Sequence, residues 1–194
     1  MRQFLFSLII LLFASSVSNA EQGQFNLGLE AGFSPIELEA EETAQKIANA
    51  SGSTVTTEYD YGVLVGRIFA EYGITSELTG EIGYFNTTSA DATYTISSDS
   101  ASESYEASGF DISARLDFGD FFAKAGMHSS TLDGAMDVTI GGTTYSATGE
   151  AQGTGTLFGG GMEVGNTLIS ISRYNDVGGI DTDLTFFSIG FKVQ

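Results

Sequence analysis

Apolar residues alternate with polar or small residues at every second position over many short stretches of this chain. In the stretch from Phe25 to Phe33, the apolar side chains share one face, and Asn26, Gly28, Glu30 and Gly32 share the other. Successive side chains of a β-strand point to opposite faces of the sheet, so this period of two predicts strands. Similar stretches begin near Tyr59, Leu78, Phe110, Phe121, Thr156, Ile169 and Phe187. The pattern predicts an all-β protein of about eight strands.

The connections between these predicted strands alternate between long and short. Long polar segments, at about 34–57, 86–103 and 176–181, follow odd-numbered strands, as does a hairpin-like segment, Val138–Ala147, that turns at Gly141-Gly142. The short connections follow even-numbered strands and lie at Ala70–Ser76, Gly119-Asp120 and Gly165-Asn166. Outer-membrane barrels sort their loops in this way, with short periplasmic turns and long external loops. We therefore expect an eight-stranded antiparallel up-and-down transmembrane β-barrel.

The first twenty residues have the features of a secretory leader. Arg2 gives a positive start, Phe4–Ala14 is a short apolar run, and Ser18-Asn19-Ala20 resembles a cleavage site. The apolar run is too short to cross a bilayer as a helix. We expect residues 1–20 to be a signal peptide and residues 21–194 to form the barrel domain, which is exported through the periplasm to a bacterial outer membrane.

The composition excludes several classes of function. There are no cysteines, so disulfides and thiol chemistry are absent, and 25 acidic residues against 7 basic ones give a net charge of -18. This balance argues against nucleic acid as a partner and against a simple binder of anionic membrane surfaces. We interpret the acidic loops as a solvated external face; bridging of lipopolysaccharide by divalent cations is a second interpretation. The loop acids are Glu37, Glu39, Glu41, Glu42, Asp91, Asp99, Glu103 and Glu106.

Three segments of the C-terminal part carry a family resemblance. Gly153–Gly165, Ser172–Asp176 and Phe187–Lys192 resemble the last strands of the OmpA/OmpX-like outer-membrane β-barrel family. The resemblance implies a barrel that is inserted by the outer-membrane assembly machinery and is surrounded by lipid and lipopolysaccharide. It also implies a role in envelope integrity, adhesion or another surface interaction. We expect a monomer without a cofactor or a metal.

Charged residues recur on the predicted inward faces of the strands. The interior of an eight-stranded barrel is just wide enough to be filled by side chains, and an unpaired charge there is costly. We therefore expect these charges to form ion pairs, with Arg115 against Glu81 or Glu163. The alternative interpretation is a gated ion path through a small channel. The predicted interior charge network comprises Glu30, Glu81, Arg115, Lys124, Glu163 and Lys192.

His128 and Ser130 have the His-x-Ser spacing of lipid A deacylase, which they resemble, and a His activates a Ser nucleophile when an acid orients it. That family works at the lipid-facing wall, whereas the alternation places Met127 outward and His128 inward. The Asn that follows in that family is Thr131 here, and no acid partner is indicated by spacing. We expect the protein not to be an enzyme, and a membrane hydrolase that modifies lipid A is the alternative.

Two glycine runs, Gly153-x-Gly155 and Gly159-Gly160-Gly161, superficially suggest a phosphate loop. Such a loop must follow a strand and open a helix, and no helical period follows Gly161. We interpret these glycines as positions in a strand where neighbouring groups need space.

Aromatic residues cluster near both predicted ends of the strands, as expected of rings that prefer the membrane interfaces. Phe187, Ile189 and Phe191 share the outward face of the last strand. In the resembled family this strand is a recognition signal for the assembly machinery, so we expect these three residues to carry that signal here. The predicted external set is Tyr59, Tyr61, Tyr84 and Tyr174, and the periplasmic set is Phe25, Phe69, Phe118, Phe121 and Phe191.

Overall fold

The structure, a computed structural model, describes residues 22–35, 45–46, 48–49, 53–97 and 99–193. The predicted signal peptide, the glutamates at 37–42 and Gln194 lie outside these residues. Ten strands are described: β1 (Phe25–Pro35), β2 (Thr56–Tyr59), β3 (Gly62–Gly73), β4 (Leu78–Thr87), β5 (Ala90–Ile96), β6 (Asp99–Phe118), β7 (Phe121–Ile140), β8 (Thr143–Val164), β9 (Thr167–Tyr174) and β10 (Leu184–Val193). A 3₁₀ turn, Val177–Gly179, lies between β9 and β10. Across the described residues, no helix is long and apolar enough to cross a membrane.

Eight of these strands close into a ring. They pair antiparallel in the order β1, β3, β4, β6, β7, β8, β9, β10. The last strand then returns to the first, with Leu27 opposite Val193 and Phe33 opposite Phe187. The prediction of an antiparallel all-β fold is confirmed, and the eight predicted strands correspond to the strands of the ring.

The two remaining strands extend strands of the ring. Asn86 pairs with Ser108 and Ala90 with Tyr105, so residues 87–89 face only two residues of β6. One extra residue of this kind is a β-bulge, and β5 is therefore the continuation of β4 beyond a bulge. We expected residues 86–103 to form a long external connection, but most of this Ser/Thr-rich segment pairs as strand along β5 and β6.

The ring is uneven in height. Strands β6, β7 and β8 contain 20, 20 and 22 residues, whereas the other five ring strands contain between 8 and 12. The excess length forms what we call the projecting sheet: β2, β5 and residues 99–106, 133–140 and 143–151 of the three long strands. Gly141 and Gly142 close the β7–β8 hairpin with φ of 58° and 80°. Two positive φ values are those of a type I′ turn, so the predicted turn is confirmed.

The ring has an apolar exterior and a polar interior. Leu27, Ile112 and Phe158 on the outer face are 56%, 64% and 54% exposed, and every ring strand contributes at least one such side chain. The interior holds buried carboxylates, guanidinium groups and ammonium groups beside a buried apolar cluster that includes Phe85 and Tyr174. This distribution is the reverse of that in a soluble protein.

Two aromatic residues do not lie where we expected them. Tyr174 and Phe69 are 0% and 4% exposed and point into the ring, so their assignment to the interfacial belts was wrong. In β3 apolar residues occupy both faces, with Val63 and Val65 inside and Leu64 outside, so alternation alone does not identify the inward face.

Candidate functional site

Arg67 of β3 points into the ring and contacts acidic side chains on three other strands, β1, β4 and β6. Its Nε and Nη2 donate to Oδ2 and Oδ1 of Asp111, at 2.9 and 2.7 Å. Its Nη1 donates to Oε2 of Glu30 at 2.7 Å, and its Nη2 lies 3.2 Å from Oε2 of Glu81. The planar fork of a guanidinium group suits this paired recognition of a carboxylate.

Other side chains complete this central cluster. Lys124 Nζ lies 3.8 Å from Oε2 of Glu81. Ser170 donates to Oε1 of Glu30 at 3.0 Å, and the Tyr174 hydroxyl donates to Oδ2 of Asp111 at 3.0 Å. Each carboxylate that contacts Arg67 therefore has a second polar neighbour, as buried charges require.

A second cluster lies nearer the short turns. Arg115 contacts Glu163, and its Nη2 donates to Oδ1 of Asp117 at 2.6 Å. Lys192 Nζ bridges Oε2 of Glu163 at 2.8 Å and Oε1 of Glu71 at 2.7 Å. Because Lys192 lies in β10 and Glu71 in β3, these bonds connect strands on both sides of the ring closure.

The predicted interior charges all lie inside the ring. Glu163 is one of the two acids that we expected beside Arg115, and the other, Glu81, belongs to the central cluster. Arg67 and Glu71 were not among the predicted interior charges, because they share the inward face of β3 with apolar residues. Asp111 was not among them either, although it alternates in phase with Arg115 on the inward face of β6, and this alternation identifies it.

Aromatic side chains fill the ring beyond the central cluster. The rings of Phe85 and Tyr174 are 4.7 Å apart, and Phe186 lies 4.7 Å from Tyr174 and 5.7 Å from Phe85. A cavity of about 10 Å³ beside them, lined in part by Arg67, is just large enough for one water molecule. At this height the interior holds packed side chains rather than a wide lumen.

His128 and Ser130 hold the connection between β9 and β10 against the ring. His128 Nε2 lies 2.8 Å from the carbonyl oxygen of Asn175, and since that oxygen only accepts, Nε2 carries the proton. His128 Nδ1, at 3.1 Å, then accepts from the Ser130 hydroxyl, whose oxygen accepts from the Gly178 amide at 2.9 Å. Both side chains are 3% exposed. A base and a nucleophile are thus in contact, but the base is oriented by a backbone carbonyl and the pair is covered.

The glycine runs are explained by close packing. A Cβ on Gly153 or Gly155 would collide with the backbone of Gly179 or Asn175, where that connection crosses β8. Strand β8 continues through Gly159–Gly161 to Val164, and no helix follows. The phosphate-loop interpretation is excluded. Among the described residues, no group of three His, Cys, Asp or Glu side chains is arranged to hold a metal ion.

The three predicted assembly-signal residues lie on the outer face of β10. Phe187 and Ile189 are exposed, and Phe191 is half-buried. All three belong to the strand that closes the ring against β1.

Comparison with solved structures identifies the fold as that of the outer-membrane β-barrels. One similar structure is that of the attachment invasion locus protein Ail of Yersinia pestis, solved with the heparin analogue sucrose octasulfate. The two structures superpose with a TM-score of 0.51 at 7% sequence identity, and the match includes 88% of this chain and 99% of Ail. Neisserial surface protein A has a TM-score of 0.38 at 14% identity, over 87% of this chain and 96% of its own. The N-terminal β-barrel domain of Pseudomonas aeruginosa OprF has a TM-score of 0.37 at 14% identity, over 89% and 100%.

Ail is an outer-membrane β-barrel protein of the OmpA/OmpX-like type, so the resemblance seen in the sequence is confirmed at the level of fold. No model of a protein family matches the chain, and no curated protein matches it significantly.

Proposed function

We propose that this chain is a monomeric eight-stranded up-and-down β-barrel of a bacterial outer membrane, exported by means of residues 1–20, and that it acts at the cell surface rather than as an enzyme or a channel. The observation that carries the proposal is the reversed polarity of the ring. Water does not solvate a continuous belt of exposed apolar side chains favourably, whereas the lipid core of a membrane does.

The dimensions of the ring fit this environment. A strand crosses a bilayer with about 9–11 residues, and β1, β4 and β10 contain 11, 10 and 10. Closure of the ring satisfies the backbone groups of its strands, which the membrane interior demands. We assign the short connections at 74–77, 119–120 and 165–166 to the periplasm, which places the projecting sheet outside the cell.

The interior supports a structural role for the charged residues. The ion pairs and the aromatic cluster occupy the space that a channel would need. Ser130 is covered by the connection that it helps to hold, so a lipid substrate has no approach to its hydroxyl group. We therefore propose that the networks around Arg67 and Arg115 stabilise the barrel and that the function lies in the external part.

The distribution of basic residues indicates the charge of the partner that the external surface of the protein would bind. Of the 7 Lys and Arg residues in the chain, Arg67, Arg115, Lys124 and Lys192 are buried in the ring, and Arg2 lies in the leader. Ail was solved with a polyanion, but the outside of this chain is acidic and would repel one. We propose that the protein meets cationic partners, and contacts lipopolysaccharide through divalent cations.

Site-specific labelling tests the topology, because the chain has no cysteine of its own. Ser146→Cys in the projecting sheet should react with a membrane-impermeant maleimide on intact cells. Asp120→Cys in a short turn should react only after the outer membrane is opened, and the parent chain should not react at all. If Asp120→Cys but not Ser146→Cys reacts on intact cells, the orientation is the opposite of the one assigned here. If neither variant reacts after the outer membrane is opened, the membrane assignment is contradicted.

A further inference from the structure

One face of the projecting sheet contains an apolar hollow. The pairings of β6 with β7 and of β7 with β8 are unbroken, so the side chains that point into the ring continue onto one face of the sheet, which we call its inner face. A hollow of about 420 Å³ opens on this face, beside the connection between β9 and β10. Its volume is in the range of sites that bind small molecules. The residues that line it include Tyr105, Leu132, Gly134, Met136, Gly149 and Ile180.

The floor of the hollow is formed by two glycines, Gly134 of β7 and Gly149 of β8, which lie opposite each other. A Cβ on Gly134 would lie 3.3 Å from the ring of Tyr105, so that ring already covers Gly134. A Cβ on Gly149 would meet no described atom within 4 Å. Opposite residues of antiparallel strands are about 4.5–5.5 Å apart, and aromatic rings pair at about 4.5–7 Å. A flat ring placed over Gly149 would therefore pack beside the ring of Tyr105.

The Glu103 carboxylate lies at the edge of the hollow. Its Oε2 accepts from the Tyr105 hydroxyl at 3.1 Å and its Oε1 from the Tyr94 hydroxyl at 2.7 Å, and Glu103 lies opposite Met136. An ionised carboxylate has about four acceptor sites, so about two remain for another donor. The described strands of the projecting sheet contain no Lys or Arg that could supply one. A carboxylate beside aromatic rings favours a cation, because N–H groups bond with its oxygens and the rings attract the positive charge.

We infer that the hollow binds an amphiphilic organic cation, a small molecule in which a short tether joins a flat aromatic ring to an ammonium group. The aromatic ring lies over Gly149 beside Tyr105, with Met136 and Ile180 around it, and the ammonium group donates to Glu103. Strands β6 and β8 are two strand spacings apart, about 10 Å, and the glutamate side chain and the tether share that distance. A molecule of the same shape with a carboxylate in place of the ammonium group would be repelled.

The probe for this site is tryptamine, whose indole ring carries an ammonium group on a short tether. The folded protein is titrated in an uncharged detergent, and binding is followed by the anisotropy of indole fluorescence, which reports the probe alone because the chain has no tryptophan. The matched probes are ethylindole, which has no charge, and indolepropionate, which has a negative charge. We expect tryptamine to bind at least about tenfold more tightly than ethylindole, and indolepropionate not to bind. Equal binding of tryptamine and ethylindole would overturn the proposal in favour of apolar partitioning.

Two pairs of variants test the location of the site. Glu103→Gln removes the charge at the hollow, and Asp137→Asn removes an equal charge from the outer face of the same sheet. Gly149→Leu fills the open space over the glycine, and Ser146→Leu adds the same side chain to the outer face. We expect tryptamine to bind about tenfold or more weakly to Glu103→Gln and to Gly149→Leu, and equally well to the two controls. Migration on unheated gels shows that each variant is folded.

The variants also define the results that contradict the proposal. Equal weakening by Glu103→Gln and Asp137→Asn would replace it with nonspecific charge attraction. Unchanged binding to folded Gly149→Leu would exclude the hollow as the site, and if that variant does not fold, the Glu103 pair and the three probes decide. The site deepens the proposed surface role, since it takes the projecting sheet to lie outside the membrane. Binding to purified protein does not depend on the orientation in cells, which the labelling experiment decides, so the two failures are distinguishable.

Discussion

Replacement of Arg67 by Ala tests whether the central cluster holds the ring together. In the wild type, this guanidinium group contacts Glu30, Glu81 and Asp111 at 3.2 Å or less and is 5% exposed. Its removal leaves three buried carboxylates with Lys124 as the nearest cation, 3.8 Å from Glu81. Removing one partner of a buried ion pair costs about 3–5 kcal/mol, because the stranded charge keeps its desolvation penalty. We expect Arg67→Ala to lie at the upper end of this range, since more than one carboxylate loses its partner.

The matched control is Arg173→Ala. Arg173 forms an ion pair with Asp183, but the two side chains are 59% and 34% exposed. An exposed pair of this kind contributes about 0–1 kcal/mol. Arg67→Lys is the intermediate case, because it keeps the charge and loses the paired geometry towards Asp111.

The free energy of unfolding is measured by urea titration of the refolded protein in detergent or lipid vesicles. Folded and unfolded chains are separated by their different migration on unheated gels, which avoids dependence on tryptophan, an amino acid that the chain lacks. The expected order of stability is wild type and Arg173→Ala, then Arg67→Lys, then Arg67→Ala. An Arg67→Ala variant as stable as Arg173→Ala would refute the view that this network stabilises the ring.

Three other perturbations address separate parts of the molecule. His128→Ala should leave the lipid A of expressing cells unchanged in mass spectra, and loss of an acyl chain that depends on His128 would establish hydrolysis. Deletion of residues 187–194 should abolish folding on gels, because β1 and β9 would each lose the strand that pairs with them. Partial burial and the nearby Glu103 carboxylate, which accepts its hydrogen bond at 3.1 Å, raise the pKa of Tyr105. The contribution of Tyr105 to stability should therefore be complete below the usual tyrosine pKa and disappear as the pH rises through the raised pKa. In ultraviolet titration of Glu103→Gln, Tyr105 should ionise at a lower pH than in the wild type. An unchanged titration would contradict the assignment of Glu103 as a cause of the raised pKa.

Alternation predicted the strands well wherever one face is apolar and the other small or polar. In β10, Phe187 and Ile189 alternate with Ser188 and Gly190, so both the strand and its outward face follow from the sequence. In β3 both faces carry apolar residues, because the aromatic cluster inside the ring needs apolar neighbours. Arg67, the centre of the charge network, therefore escaped prediction although it is one of few basic residues in the chain.

Most of the projecting sheet, apart from the hairpin at Val138–Ala147, was not predicted, for a different reason. Its strands alternate Ser and Thr with small residues and acids, a composition that also suits a solvated loop. What makes Asp99–Glu106 a strand is its long-range pairing with β5 and with β7, which no local pattern reveals. The hairpin turn at Gly141-Gly142 was the one local signal, because its two positive φ values favour glycine.

The charged interior and the acidic exterior have a common origin. The ring interior buries five acids, Glu30, Glu71, Glu81, Asp111 and Glu163, and each needs a cation within reach because an unpaired buried charge is costly. A chain with 7 basic residues places four of them there and retains few for its surface. The requirement for a stable core thereby leaves few basic residues to balance the acids of the projecting sheet.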